Sequence, residues 1–203
     1  MIRVGIDMDG TAVLYERLFH RLATTHFGLP ADFPEEKSKI RAWLRHQREG
    51  EKKWVSLQGL AYGPRIREAS EAPGLRNFLA SCRSRGWEIH MVSHKGEASG
   101  CDKKFPLRKF AMEWLRGSGL LGPHGICEED VHFASSREEK IDQIRRLRPL
   151  FFIDDLPEVL GSPLFPEHVA RWQYVPRGPV YPGVNMAFRS WWDASGLLSR
   201  LLL

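Results

Sequence analysis

Apolar positions change their period several times along the chain, and each change marks an element. Ile2, Val4 and Ile6 alternate as a half-buried strand does, until Gly10 breaks the pattern. From Val13 to about Phe27, Leu14, Leu18, Leu22 and Ala23 recur at helical spacing, and Gly28-Leu29-Pro30 ends the run. Pro34 opens a second helical stretch with Ile40, Trp43 and Leu44 on one face. No clear strand is predicted between Thr11 and Pro73. Pro73-Gly74-Leu75 then starts a helix carrying Leu75, Phe78, Leu79 and Cys82, closed by Gly86. Glu88 to Val92 reads as the second strand, and Phe110, Ala111, Trp114 and Leu115 as one face of a helix. A short strand at Val131-His132-Phe133 and a helix from Arg137 to Leu147, with Ile141 and Ile144 inward, follow. Leu150-Phe151-Phe152-Ile153 is apolar without alternation, as a strand buried on both faces should be. Arg171 to Val175 gives a fifth strand, and the remainder reads as loop and a tail holding Trp191 and Trp192.

Strands alternating with helices predict a three-layer α/β/α, Rossmann-like parallel sheet. A mostly helical insertion follows the first strand. Three strand ends deliver polar groups to one edge, namely Asp7 with Asp9, Ser93, and Asp154 with Asp155. Open α/β sheets bind their ligands at this edge. Two carboxylates one residue apart repel each other in a dry site, so a cation or a shared proton should accompany them. Alone, Asp9-Gly10 would be a turn and Ser93 a strand-end cap. It is their convergence that calls for chemistry.

Composition narrows the setting. With 203 residues, 42% hydrophobic and 27% charged, the chain has the make-up of one ordinary globular domain with a modest insertion. The formal net charge of +5 is scattered, without the Lys/Arg run of a nucleic-acid arm, so small anions suit it and a nucleic-acid polymer is not expected. Cys82, Cys101 and Cys127 form neither a disulfide framework nor a zinc pattern. No apolar run is long enough to span a membrane, and no leader pattern opens the chain, so a cytoplasmic protein is expected, as monomer or homodimer.

Taken in order, Asp7-Met8-Asp9-Gly10-Thr11, Ser93 after an apolar strand, Lys140 on the helix before the fourth strand, and Asp154-Asp155 resemble the four motifs of the haloacid dehalogenase superfamily, chiefly its phosphatases. A more distant likeness is to the 5′(3′)-deoxyribonucleotidases. The resemblance implies a catalytic core at 1–14 and 73–203, and a small helical cap at 15–72. It implies a Mg²⁺-dependent phosphatase that hydrolyses a small phosphorylated metabolite through an aspartyl-phosphate.

In that reading Asp7 is the nucleophile and a Mg²⁺ ligand, and Asp9 is the general acid and base, with its backbone carbonyl on the metal. Asp154 binds Mg²⁺ directly, and Asp155 does so directly or through water. Ser93 and the backbone N–H groups of Met8 and Asp9 hold phosphoryl oxygens, Thr11 orients Asp9, and Lys140 offsets the carboxylates. Lys95, Lys103 and Lys104 compete with Lys140 for its role. His94 and Lys95 join Ser93 as substrate-binding candidates because strand-end loops line such pockets. Asp155 is also placed to cap a helix from Leu156.

In the insertion, Arg41, Arg45, Lys52, Lys53, Arg65 and Arg67 are candidates to meet substrate anions, and Phe19, Trp54 or Tyr62 to stack on a base or sugar. Helix-surface charges and core aromatics are the simpler account of both sets. His20, His26 and His46 lack a metal-ligand spacing. Two other functions stay open: a 5′-nucleotidase and a non-catalytic phospho-ligand binder. A dehalogenase is disfavoured because an acid/base Asp stands at Asp9.

Overall fold

The computed structural model describes residues 1–97 and 105–198. Cys101, Lys103 and Lys104 lie outside the described residues. The chain divides into two compact units, one formed by Met1–Val13, Glu71–Lys95 and Ser118–Leu203, the other by Leu14–Ser70 and Gly96–Gly117.

The first unit is built on a six-stranded sheet. Its strands are β1 (Arg3–Ile6), β4 (Glu88–His94), β5 (Val131–Ala134), β6 (Phe151–Asp154), β7 (Ala170–Tyr174) and β8 (Met186–Phe188). They run in the order β5-β4-β1-β6-β7-β8, every neighbouring pair parallel. The chain builds outward from β1 to β4 and β5, then returns to β1's other side for β6. The strand order therefore reverses at β1, the position where parallel sheets open a ligand crevice.

The registers are anchored by apolar rows. Ile6 stands opposite Met91 on one side and Ile153 on the other, and all three are buried. Gly5 pairs with Phe152, whose ring lies across it; a Cβ there would come within 2.4 Å of the ring. That close approach explains a glycine in the middle of a buried strand.

Helices cover both faces. Phe152 and Val92 pack with Ile144 of α6 (Arg137–Leu147) and Leu160 of α7 (Pro157–Leu160). On the opposite face Phe151 stacks on Trp172 at 4.1 Å. There Trp191 of α8 (Trp191–Leu198) meets Phe78 of α4 (Leu75–Ser84), Tyr174 and Phe188 at 5.0, 5.7 and 5.3 Å. The Trp-containing tail is thus a helix that completes the core. Met186–Phe188 is a sixth strand in a stretch read as loop, since three residues are too few to show alternation.

The second unit is helical. It contains α1 (Glu16–Phe27), α2 (Lys37–Arg45), α3 (Gly50–Tyr62) and α5 (Leu107–Ser118) up to Gly117. Phe19 stacks on Trp54 at 5.4 Å, and Tyr62 meets Tyr15 and Phe19 edge-on at 4.8 and 5.6 Å. Trp114 of α5 donates to the Ala69 carbonyl at 3.4 Å. Short strands β2 (Val13–Leu14) and β3 (Ser70–Glu71), also missed by pattern, occupy two of the four points where the chain passes between the units. No helix among the described residues is long and apolar enough to cross a membrane.

Candidate active site

Three adjacent strands deliver the chemistry. The Asp7 amide donates to the Ile153 carbonyl at 2.8 Å, which carries the β1/β6 register one residue past β1 and sets Asp7 level with Asp154. After Asp7 the chain folds tightly: the amides of Ala12 and Val13 donate to the Met8 carbonyl at 2.9 and 2.8 Å, and that of Gly10 to Val13 at 2.8 Å. Gly10 has φ +91°, a conformation glycine adopts without penalty, and a Cβ there would lie 2.5 Å from an Asp155 oxygen. The loop backbone thus presses on the second carboxylate of the Asp154-Asp155 pair.

Lys140 is the hub. Ser136 caps α6 by accepting from the Glu139 amide at 3.1 Å, and Lys140 follows on the first turn, facing the sheet. Its ammonium lies 2.6 Å from Asp7 Oδ1 and 2.6 Å from Asp154 Oδ2, with all three side chains buried. The other Asp154 oxygen accepts from the Leu156 amide at 2.9 Å. The turn after β6 is therefore closed by Asp154, whereas the helix that begins there has Leu156 at its cap and no side-chain cap bond from Asp155. Thr11 differs from the expectation that it orients Asp9: its hydroxyl donates to Asp155 Oδ1 at 3.1 Å.

The β4 end separates two residues that the sequence groups together. Ser93 and Lys95 share one side of the extended chain, and His94 takes the other. Lys95 is buried, and its ammonium lies 2.8 Å from Asp9 Oδ2 and 3.1 Å from Oδ1. His94 is exposed, and its Nε2 pairs with the Ser135 carbonyl at 3.2 Å. Strand alternation removes His94 from the group that Ser93 and Lys95 join. Ser93 is fully buried, and its hydroxyl has no hydrogen-bond partner among the described residues. A buried hydroxyl without a partner is costly in a finished core. At a strand end, on the side of the chain that Lys95 shares, a bound anion would satisfy it.

Four carboxylates, Asp7, Asp9, Asp154 and Asp155, gather around the ammonium groups of Lys95 and Lys140. Burial pushes the Asp7 carboxyl well above the usual carboxylate range; Lys140 pulls against this, while Asp154, Asp155 and Asp9 push it further. For Lys140, burial opposes the charge, but Asp154 and Asp7 overcome it and hold the ammonium above its ordinary range. Asp7, Asp154 and Asp155 each offer an oxygen within 4.8 Å of the others. An all-oxygen cluster of carboxylates fits a hard divalent cation of the Mg²⁺ kind. The Asp9 carboxylate, engaged by Lys95, is not one of the three.

In the helical unit the candidate cations have local partners. Arg45 pairs with Glu51 at 2.5 Å, Lys52 with Glu49 at 2.7 Å, Arg67 with Glu113 at 3.4 Å, and Arg65 with Glu68. Lys53 donates to Gln47 at 2.7 Å, and Arg41 lies over the Trp54 ring at 5.9 Å. Phe19 and Trp54 are buried in that unit's own aromatic cluster.

No protein-family model matches the chain, and no curated protein does. Solved structures do. A HAD family hydrolase from Deinococcus radiodurans R1, with bound phosphate and sodium, superposes with a TM-score of 0.59 at 15% identity, covering 98% of this chain and 95% of the other. A haloacid dehalogenase-like hydrolase from Streptococcus pneumoniae reaches 0.64 at 12% identity, covering 98% of each chain. CbbY from Rhodobacter sphaeroides, in complex with phosphate, reaches 0.57 at 13% identity, covering 94% and 95%. Identities this low speak to backbone architecture, and by that measure the chain has the fold of the haloacid dehalogenase superfamily of hydrolases.

Proposed function

We propose that this protein is a Mg²⁺-dependent phosphatase of the haloacid dehalogenase type, which hydrolyses a small phosphorylated metabolite through an aspartyl-phosphate. The observation that carries the reading is the buried triad in which Lys140 bridges Asp7 and Asp154, with the Ser93 hydroxyl, at the end of the strand next to Asp7's, buried without a hydrogen-bond partner among the described residues. A core built only for stability gains little from such a group, because apolar residues of similar volume serve as well or better. Two of the neighbours, from Deinococcus radiodurans and Rhodobacter sphaeroides, carry phosphate in their structures, which supports the same reading.

Asp7 attacks phosphorus with its carboxylate and becomes the phosphoryl carrier. Lys140, fixed between Asp7 and Asp154, favours the ionised nucleophile against its burial and stabilises the oxygens of the transferred group. Ser93 donates its hydroxyl to a phosphoryl oxygen, and the backbone N–H groups of Met8 and Asp9 take others. Asp9, positioned by Lys95, protonates the leaving oxygen and then removes a proton from the hydrolytic water. Asp7, Asp154 and Asp155, with the Asp9 carbonyl, would hold Mg²⁺, which when bound offsets the repulsion between a carboxylate and a phosphate dianion. A nucleotidase has less support, because Phe19 and Trp54 are committed to a helical core rather than open for base stacking.

Phosphate release from sugar phosphates, nucleoside monophosphates and an aryl phosphate tests the proposal, each with Mg²⁺ and with EDTA. Turnover that needs Mg²⁺ and disappears in Asp7→Asn is expected. Turnover that survives Asp7→Asn, or silence from folded protein across the panel with Mg²⁺, would overturn it.

A further inference from the structure

A second cluster of ligating groups sits elsewhere on the same sheet. His90 lies on β4, three residues before Ser93 and therefore on the opposite face of the strand. His132 lies on the edge strand β5, where it pairs with Val92, so it shares the face of His90. Asp130 ends the single helical turn Glu128–Asp130 that leads into β5. The imidazoles stack with centroids 5.6 Å apart. His90 Nδ1 is 3.1 Å from Asp130 Oδ1 and 3.4 Å from His132 Nε2, and the three ligand atoms lie within 4.8 Å of one another.

These separations have a specific meaning. Zinc bonds to nitrogen and oxygen of about 2.0–2.2 Å make the edge of a tetrahedron about 3.3–3.6 Å long. Two of the separations, both from His90 Nδ1, lie at or just under that edge, the third is within 4.8 Å, and the half-buried Asp130 and His132 leave access for water as a further ligand. Hydrogen bonding alone serves the cluster poorly. One ring nitrogen of His90 faces both Asp130 and His132, while the other, Nε2, is buried without a hydrogen-bond partner among the described residues. A cation on Nδ1 resolves the first of these, because it is drawn to both neighbours, and it fixes the tautomer with hydrogen on Nε2. Glu88 Oε2, held by Arg3 at 2.8 Å, is the carboxylate nearby on that side, 3.8 Å from Nε2.

We infer that His90, His132 and Asp130 form a binding site for a divalent transition metal of the zinc class, separate from the phosphatase centre. Its nitrogen-rich donor set selects against Mg²⁺, which prefers the all-oxygen cluster at Asp7, so the two sites sort different ions. Bound there, the ion clips the edge strand β5 and the turn before it to β4.

The test uses tag-free protein in excess Mg²⁺, titrated with Co²⁺ and followed by its visible absorption, with Zn²⁺ as competitor. One equivalent with the strong absorption of tetrahedral Co²⁺ is expected, displaced by Zn²⁺, lost in His132→Gln and retained in Asp7→Asn. Melting in EDTA establishes that the variants are folded, and Asp130→Asn, on a partly exposed turn, provides the same reading should His132→Gln melt early. A wild-type spectrum without tetrahedral Co²⁺, a signal that persists in both His132→Gln and Asp130→Asn, or one abolished by Asp7→Asn would overturn the inference.

Discussion

Replacing Lys140 by Met keeps most of the side chain's volume and removes the ammonium that lies 2.6 Å from both Asp7 and Asp154. These carboxylates are buried, so solvent does not take over the lost interaction. Stranding a buried charge in this way costs about 3–5 kcal/mol. For a chain of this size 1 kcal/mol moves the melting temperature by about 2–4 °C, so Lys140→Met should melt about 6–20 °C below the parent in EDTA. Asp7→Asn should behave in the opposite sense. It leaves Lys140 paired with Asp154 and removes one of four crowded carboxylates, so the melting temperature should hold or rise while turnover is lost.

The pH dependence has a defined sign. In Lys140→Met the buried Asp7 carboxyl, without the ammonium that pulled against its burial, binds a proton more tightly when folded than when unfolded, so lowering the pH narrows the gap to the parent. Burial already raises Asp7, which places that recovery above the ordinary carboxylate range. Scanning calorimetry in EDTA at several pH values measures both effects. A fall under about 2 °C for Lys140→Met, less than 1 kcal/mol would produce, or destabilisation in Asp7→Asn as large as in Lys140→Met, would refute the reasoning.

Ser93→Ala removes a buried hydroxyl that has no hydrogen-bond partner among the described residues, so it should leave the melting temperature unchanged or slightly higher; kcat/KM for phosphate release should fall about 10²–10³-fold, as for loss of a transition-state donor. Gly5→Ala forces a Cβ to within 2.4 Å of the Phe152 ring and should cost about 1–3 kcal/mol of stability, read from urea unfolding. Burial pushes the Cys82 thiol up to about 12, so in native protein Cys82 should resist iodoacetamide at mildly alkaline pH and react once the chain is unfolded, as peptide mapping will show.

The polar edge of the sheet was legible in the sequence because its residues sit at strand ends that the hydrophobic pattern marks sharply. Phe151-Phe152-Ile153 announces a buried strand, and Asp154 is the first polar residue after it. Lys140 was readable from its position next to the inward-facing Ile141 and Ile144, with Ser136 fixing where the helix begins. Side-chain partnership was harder to read. Nothing in the linear order distinguishes Thr11 on Asp155 from Thr11 on Asp9, because the partner comes from 144 residues away. His94 and Lys95 looked equivalent beside Ser93, although strand alternation, available in the sequence, already separates them. Elements of two or three residues, such as Val13–Leu14 and Met186–Phe188, carry too few positions for any period to emerge. The His90/His132 pair was equally hidden: each histidine is unremarkable on its own strand, and only the register of β4 on β5 brings them together.

The indole of Trp191 donates to the Thr11 carbonyl at 3.2 Å, a bond across 180 residues of sequence. During synthesis, therefore, the loop after the first strand waits for nearly the whole of the remaining chain before its last support arrives. Lys140 reaches Asp7 across 133 residues and Thr11 reaches Asp155 across 144, so the nascent protein holds no assembled centre for most of its translation. Contacts this remote in sequence also slow folding, since long loops must close before the contacts form. A ribosome stalled before the codon for Trp191 would thus carry Asp7, Ser93, Lys140 and Asp154 and lack the indole that braces the loop after Asp7.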